Sequence, residues 1–324
     1  MTREDRMKEL KDLKFVPHWV SHLGCLEGCL KYLGINVSTP WLYGATGHAF
    51  VINIAKDVCP SGPTAWRTHM LFELARNIGA RIDGLFVPKE DKDFSKKLEA
   101  AWRFTRESID AGQPCYGWQI GDIADFYVIY GYDDIGYYYK GYFKEDGDGP
   151  KPWDKIGQMF LEMYSVRRVD PADNVTTVKQ AFQNVLKHSK NPKDWIFHPN
   201  YKSGIEGFNA WIKALESGTA VTFGNAYNAV VWAECRKFGV DFLLETSNRL
   251  GEKTMPLFKV AIEHYNISAK RLAKVSELYP FSKDLTMDPV RVDDKSRKAA
   301  ETLRAARDAE ADGLQVLAKI VGCL

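Results

Sequence analysis

The stretch His18–Ile35, HWVSHLGCLEGCLKYLGI, decides how the first half of the chain is interpreted. Its apolar residues recur at spacings of three and four: Cys25, Leu26, Cys29, Leu30 and Leu33. This period predicts a buried helix with one apolar face. A thiol near the start of a helix lies at the positive end of the helix dipole, which favours the thiolate. The stretch therefore predicts a candidate thiol-dependent site at Cys25.

The composition limits the class of protein. The chain has 324 residues, enough for two ordinary domains, and a net charge of +2 with both signs interspersed. It has no long run of like charges, so we expect no nucleic-acid partner. It also has no apolar stretch long enough to span a membrane, and its charged start does not resemble a signal peptide. The 6 widely spaced cysteines predict reduced thiols and a cytoplasmic protein.

The first part of the chain predicts helices interrupted by short strands. The predicted elements are helix Arg3–Leu13, the central helix ending near Gly34, loop Trp41–Phe50, strand Ala49–Ile54, helix Ala65–Ile78, strand Arg81–Val87 and helix Phe94–Ile109. Glycine and proline mark the ends of several of these elements, because they favour turns over regular structure.

From Pro114 the apolar period changes from 3.6 to 2, which is typical of strands. Three runs, PCYGWQI, DFYVIYGY and YYYKGYF, are followed by a fourth at Phe160–Val169. Residues 133–136, Asp-Asp-Ile-Gly, separate the second run from the third and predict a hairpin. An antiparallel sheet that follows a helical segment indicates an α+β fold.

After Asp170-Pro171 the sequence predicts almost only helices. They are Val178–His188, Gly204–Ser217, Asn225–Leu250, Leu257–Leu278 and Lys295–Val321. The change in pattern predicts two domains, residues 1–172 and 173–324. For the second domain we consider a lid, a homodimer surface or a carrier-protein dock, and a supporting helical bundle is favoured over all three.

Two stretches resemble a known family. They are SHLGCLEGCLKYLG with YGATGHAF, and PCYGWQI followed by ADFYVIYGYDDIGYYYKGY. Both are similar to the N-terminal domain of the butirosin biosynthesis protein H family, and the helical half is similar to the region that accompanies it. The resemblance implies a papain-like N-terminal domain with an antiparallel sheet, plus an all-helical C-terminal domain. It also implies acyl transfer or amide hydrolysis by a cysteine and a histidine, without a cofactor.

The chain departs from the family pattern at both of those positions. Counted back from Gly34, the cysteine position falls on Ser21, and the histidine position on the sheet falls on Phe126. A phenyl ring cannot accept a proton, and a serine without a base is a poor nucleophile. If this register holds, the catalytic pair of the family is missing.

Three residues remain as candidates for catalysis. Cys25 lies one helical turn after the family position and is either a displaced nucleophile or a small buried residue, and the second interpretation is favoured. His48 and His22 are the candidate bases, and the alternative is that each is a hydrogen-bonded structural histidine. Cys25 and Cys29 have no second pair of ligands at suitable spacing, so we predict no metal site.

Six residues are candidates for ligand binding. They are Ser21, Trp66, Trp118, Gln119, Asp125 and Tyr127. The Gln119 amide could donate a hydrogen bond to an oxyanion, and the aromatic rings could form the walls of a pocket. The alternatives are a strand hydrogen bond for Gln119, a turn role for Asp125 and cross-strand packing for the rings.

The sequence leaves two hypotheses for function. In the first, Cys25 performs acyl or amide transfer on a small molecule or on an acyl group bound to a carrier protein, with His48 or His22 as the base. In the second, the protein keeps the cleft but not the catalytic pair and binds a small molecule.

Overall fold

The structure is a computed structural model that describes residues 7–143, 147, 149–191, 193, 198–251 and 255–324. It combines an antiparallel sheet with α-helices, and its C-terminal region is helical. The predicted α+β class with a helical C-terminal region is therefore confirmed.

In the described ranges the strands are β1 (Lys8–Glu9), β2 (Asn53–Ala55), β3 (Ala80–Pro88), β4 (Cys115–Trp118), β5 (Phe126–Tyr132), β6 (Gly136–Lys140), β7 (Lys151–Pro152), β8 (Phe160–Arg168) and β9 (Tyr201–Ser203). The α-helices are α1 (Ser21–Tyr32), α2 (Thr39–Ala45), α3 (His69–Ala75), α4 (Phe94–Asp110), α5 (Asn174–His188), α6 (Gly204–Ser217), α7 (Thr222–Leu250), α8 (Met255–Leu278) and α9 (Asp294–Cys323).

The chain divides into two compact units. The first consists of Met1–Val37 and Gly79–Pro171, and the second of Ser38–Ile78 and Ala172–Leu324. The predicted domains, 1–172 and 173–324, differ from these units in residues 38–78 and in residue 172, all of which belong to the helical unit. The reason is that α2 packs on α7 and β2 pairs with β9, and local sequence patterns do not reveal such distant partners.

The sheet of the first unit has the strand order β3-β8-β4-β5-β6-β7, and β1 pairs with β5. All of these pairs are antiparallel. The predicted hairpin between β5 and β6 is confirmed. Its turn is held by Asp133, whose Oδ1 accepts hydrogen bonds from the Ile135 and Gly136 N–H groups at 2.8 and 3.1 Å.

The predicted helix Arg3–Leu13 is wrong where the structure describes it, and its first residues lie outside the described ranges. Lys8–Glu9 forms β1 instead, and the Leu10 N–H donates to the Tyr130 carbonyl at 2.7 Å. The end of β5 extends beyond its pairing with β4 and offers backbone partners here, and for a segment this short that pairing outweighs helix propensity.

The backbone of residues 14–16 packs closely on α1 and explains two glycines of this helix. A Cβ at Gly28 would lie 2.0 Å from the Lys14 carbonyl oxygen, and one at Gly24 would lie 2.4 Å from the Val16 carbonyl oxygen. The Val16 N–H also donates to the Gly24 carbonyl at 3.3 Å. The segment therefore crosses α1 at a distance that only glycine allows.

Replacing Gly28 with alanine is expected to lower the free energy of unfolding by about 1–3 kcal/mol, because the methyl group overpacks the contact with Lys14. This loss opposes the gain of up to about 1 kcal/mol that alanine gives in a helix interior. Urea denaturation measures the difference. Gly322→Ala in α9 is the matched control, because a Cβ there would meet no atom within 4 Å; an equal effect at both positions would contradict the packing argument.

The second unit is built mainly from helices. The predicted helix Gly204–Ser217 agrees with α6, which ends where Gly218 adopts a left-handed conformation with a φ of 70°. The predicted loop Trp41–Phe50 is largely helical, since α2 begins after Ser38, whose side chain accepts from the Trp41 N–H. Among the described residues, no helix has the length and apolar character needed to cross a membrane.

Candidate functional site

The first turn of α1 contacts the first residue of β5. The Ser21 hydroxyl oxygen accepts a hydrogen bond from the Phe126 N–H at 3.2 Å. The His22 ring stacks on the Phe126 ring with centroids 4.3 Å apart, and its Nε2 is hydrogen-bonded to the Tyr116 hydroxyl at 2.9 Å. The structure thus brings together Ser21 and Phe126, the residues that occupy the cysteine and histidine positions in the resemblance.

The Cys25 side chain is fully enclosed, with an exposed fraction of 0%. Burial raises the pKa of its thiol well above the ordinary value, and Cys29 and Asp125 raise that pKa further. The thiolate is the nucleophilic form of cysteine, so a thiol that stays protonated at neutral pH is poorly reactive. The surroundings of Cys25 favour its interpretation as a small residue that packs the helix.

Alkylation with iodoacetamide in the native state is expected to modify Cys323 first and to leave Cys25 protected, because Cys323 is exposed and Cys25 is buried with a raised pKa. Peptide mass mapping over time measures both rates. The buried Cys235 is the control and is expected to be as slow as Cys25. Rapid, selective modification of Cys25 would instead identify it as a reactive thiol.

Three residues near one end of the sheet each carry a buried, unpaired polar side-chain atom. The Trp118 Nε1, the Gln119 Oε1 and the Glu162 Oε2 have no hydrogen-bond partner in the part of the chain that the structure describes. The pairing of Tyr116 with Tyr164 continues along the strands, so Trp118 lies opposite Glu162 on the same face. Leaving such an atom unpaired costs about 1–3 kcal/mol. Each of these unpaired atoms is a candidate contact for a ligand or water.

The backbone at Gln119 is in an unusual conformation. Its φ is 50°, in the left-handed region, and its N–H donates to the Asp125 carbonyl at 2.7 Å. Asp125 also accepts a hydrogen bond from the Phe126 N–H through Oδ1 at 3.1 Å. Such a conformation costs about 1–3 kcal/mol for a residue other than glycine, and it is found preferentially at functional sites. The predicted ligand-binding residues Gln119 and Asp125 therefore lie next to Ser21 and Phe126.

Glu162 is a site residue that the sequence analysis missed. Its side chain is only partly enclosed, but its Oε2 is fully buried. Burial outweighs a hydrogen bond with Tyr164, which lowers the pKa, and raises the pKa of the carboxyl group to about 8. The carboxyl group is therefore largely protonated at neutral pH. The available signal was the alternation of β8, which places Glu162 on the same face as Phe160 and Tyr164.

Tyr127 follows Phe126 in β5 and therefore points to the opposite face of the sheet. Its hydroxyl donates to the Ile123 carbonyl at 3.1 Å, and its ring packs edge-on against Tyr139 with centroids 5.5 Å apart. Tyr127 thus lies on the opposite face of the sheet from Trp118.

The remaining two candidates, His48 and Trp66, belong to the second unit. Their rings pack edge-on with centroids 5.4 Å apart, and the Trp66 Nε1 donates to the Pro63 carbonyl at 2.9 Å. Burial, with smaller contributions from the nearby His188 and Arg236, lowers the pKa of His48 to about 3. His48 is consequently a neutral, enclosed imidazole at neutral pH.

The structure gives His48 a thiol contact that the sequence did not predict. Its Nδ1 lies 3.8 Å from the Cys235 Sγ, across 187 positions of the chain. Burial raises the pKa of the Cys235 thiol and lowers that of the imidazole. A catalytic thiolate–imidazolium pair requires the opposite shifts. The contact between His48 and Cys235 is therefore a neutral packing contact.

Comparison with protein-family models found no match, and comparison with curated proteins found none either.

Proposed function

We propose that the first unit is a papain-like module, similar to the butirosin biosynthesis protein H family, that binds its ligand without the catalytic pair. The observation that carries this proposal is the contact between Ser21 and Phe126 at 3.2 Å. The two family positions lie side by side, as they would in an active enzyme, but one holds a hydroxyl and the other a phenyl ring. No base is available at Phe126 to activate Ser21.

The polar atoms at the end of the sheet support a binding role. An indole N–H, an amide oxygen and a largely protonated carboxyl group provide donors and acceptors for a ligand with polar substituents. The Trp118 ring stacks on the Phe160 ring with centroids 5.6 Å apart, which adds an aromatic wall. We propose a small molecule or a carrier-bound acyl group as the ligand, since the family's acyl chemistry and this mixed lining are both compatible with it.

The proposal separates binding from turnover and can be tested with one probe. The thioester S-acetyl-N-acetylcysteamine imitates a carrier-bound acyl group. We expect the full-length protein to bind it in equilibrium dialysis and to release no free thiol. Trp118→Phe removes the unpaired N–H and is expected to weaken binding by about threefold to tenfold. Trp102→Phe in α4 is the control, because Trp102 packs against Tyr137 and Trp153 instead.

Two results would contradict the proposal. Release of thiol that depends on Cys25 in a Cys25→Ala comparison would establish the thiol-dependent enzyme of the first hypothesis. Absence of binding, or equal binding by Trp118→Phe and wild-type protein, would show that the polar cluster does not hold an acyl thioester.

A further inference from the structure

The second unit contains a cavity of about 340 Å³ that the proposed function does not use. Its lining residues are Thr222, Ala226, Tyr279, Pro280, Leu285, Val290, Arg291, Asp293 and Lys295. They come from the start of α7, the start of α9 and the segment that connects α8 to α9. This volume is at the lower end of the range of about 300–1,000 Å³ found for small-molecule sites. The cavity therefore suits a compact ligand.

Backbone hydrogen bonds hold the cavity wall in place. The Thr222 N–H donates to the Asp288 carbonyl at 2.8 Å, and the Val290 N–H donates to the Ala220 carbonyl at 2.7 Å. The Phe223 N–H donates to the Thr286 carbonyl at 2.9 Å. The connecting segment is thus fixed to the start of α7, and the cavity is formed before any ligand arrives. A preformed site avoids part of the entropic cost of binding.

The cavity combines an apolar interior with cationic groups at its exposed side. Ala226, Tyr279 and Val290 are buried, whereas Arg291 and Lys295 are exposed. Neither Arg291 nor Lys295 forms an ion pair with any residue that the structure describes.

Two side chains of the lining already have partners. The Lys295 Nζ lies over the Tyr279 ring, 4.3 Å from its centroid. The only acidic lining residue, Asp293, accepts the Ser296 N–H at 3.0 Å and so caps α9. Its carboxylate is thereby engaged by the backbone, whereas the two cations of the lining have no ion-pair partner among the described residues.

We propose that this cavity binds a small aromatic anion. The guanidinium of Arg291 provides a planar set of donors for a carboxylate or phosphate group, and Lys295 adds a second positive charge. The ring of the ligand packs against Tyr279, Leu285 and Val290. Phosphate monoesters and carboxylates share this chemistry, so phenyl phosphate and benzoate are the two probes that distinguish them.

Isothermal titration of the full-length protein tests the proposal. We expect at least one of the two probes to bind, and Arg291→Gln to weaken that binding by about tenfold or more. Arg297→Gln is the matched control, because Arg297 lies outside the cavity lining and pairs with Asp294 at 2.6 Å. Phenol and inorganic phosphate each lack half of the recognised chemistry, and each is expected to bind at least about tenfold more weakly than the better probe.

Three outcomes would overturn the proposal. The first is that neither phenyl phosphate nor benzoate binds at millimolar concentration. The second is that Arg291→Gln and Arg297→Gln weaken binding equally, which would indicate diffuse surface charge. The third is that inorganic phosphate binds as tightly as phenyl phosphate, which would exclude a role for the apolar interior. Because Arg291 is exposed, its substitution is not expected to prevent folding.

Discussion

Replacing Arg236 with methionine is expected to lower the free energy of unfolding by about 3–5 kcal/mol, because it leaves a buried carboxylate without its counter-charge. The Arg236 side chain is fully enclosed, and its Nε and Nη2 donate to Glu310 at 2.7–3.1 Å. Its Nη1 donates to the carbonyls of Ala49 and Val51, both at 2.9 Å. The substitution therefore removes the counter-charge of Glu310 and two backbone hydrogen bonds that hold residues 49–51 against α7.

Urea denaturation measures this loss. The control Arg297→Met removes an exposed ion pair with Asp294, and its effect is expected to be at most about 1 kcal/mol. The double substitution Arg236→Met with Glu310→Leu is expected to regain much of the stability, since no unpaired charge remains buried. If Arg236→Met and Arg297→Met destabilised the protein equally, the buried pair would contribute no more to stability than an exposed ion pair.

Replacing Glu162 with glutamine is expected to stabilise the protein by an amount that grows with pH. The pKa of Glu162 is raised from 4.5 to about 8, so the folded state binds this proton more tightly than the unfolded state. The stabilisation that this bound proton gives the folded state is fully present below pH 4.5. It decreases as pH rises through 8, by about 1.4 kcal/mol per pH unit. Glutamine cannot ionise, so the difference between the two proteins approaches about 4 kcal/mol near pH 8.

Denaturation midpoints measured from pH 5 to pH 9 test this expectation, because the Glu162 proton is lost over roughly this range of pH. Glu99→Gln in α4 is the control for removal of one exposed carboxylate, and its effect is expected to stay within about 0.5 kcal/mol. A difference for Glu162→Gln that does not change with pH would contradict the raised pKa, and with it the assignment of a protonated carboxyl group to the site.

Local signals predicted most of the regular structure. The helix α6 begins at Gly204 and is closed by Gly218, and the β5–β6 hairpin is set by Asp133, so short-range turn chemistry was sufficient in both places. The start of α2 had a readable signal that was missed: Ser38 as the N-cap, followed by a proline in the first turn. Segment β1 could not be predicted, because its structure depends on pairing with the end of the distant strand β5.

The candidate site was likewise predicted only in part, because some of its residues are brought together by contacts between distant parts of the chain. The two stretches that resemble the family contain Ser21, Gln119 and Phe126. The structure places these residues next to one another. Glu162 carries no motif, and only the pairing of β8 with β4 brings it opposite Trp118. Contacts between residues so far apart depend on packing of the whole unit, and an apolar period reports only which face of one element is buried.

In the proposed function, Ser21 and Phe126 occupy the positions of a catalytic pair that this chain lacks. The most direct test of this proposal is to restore the pair with Ser21→Cys and Phe126→His and to measure the pH dependence of alkylation at position 21. We predict that the double variant reacts through a thiolate already formed below about pH 7, because an imidazolium beside a thiol at a helix start lowers its pKa. Ser21→Cys alone is expected to lack this shift. Identical pH profiles for the single and double variants would contradict the proposal.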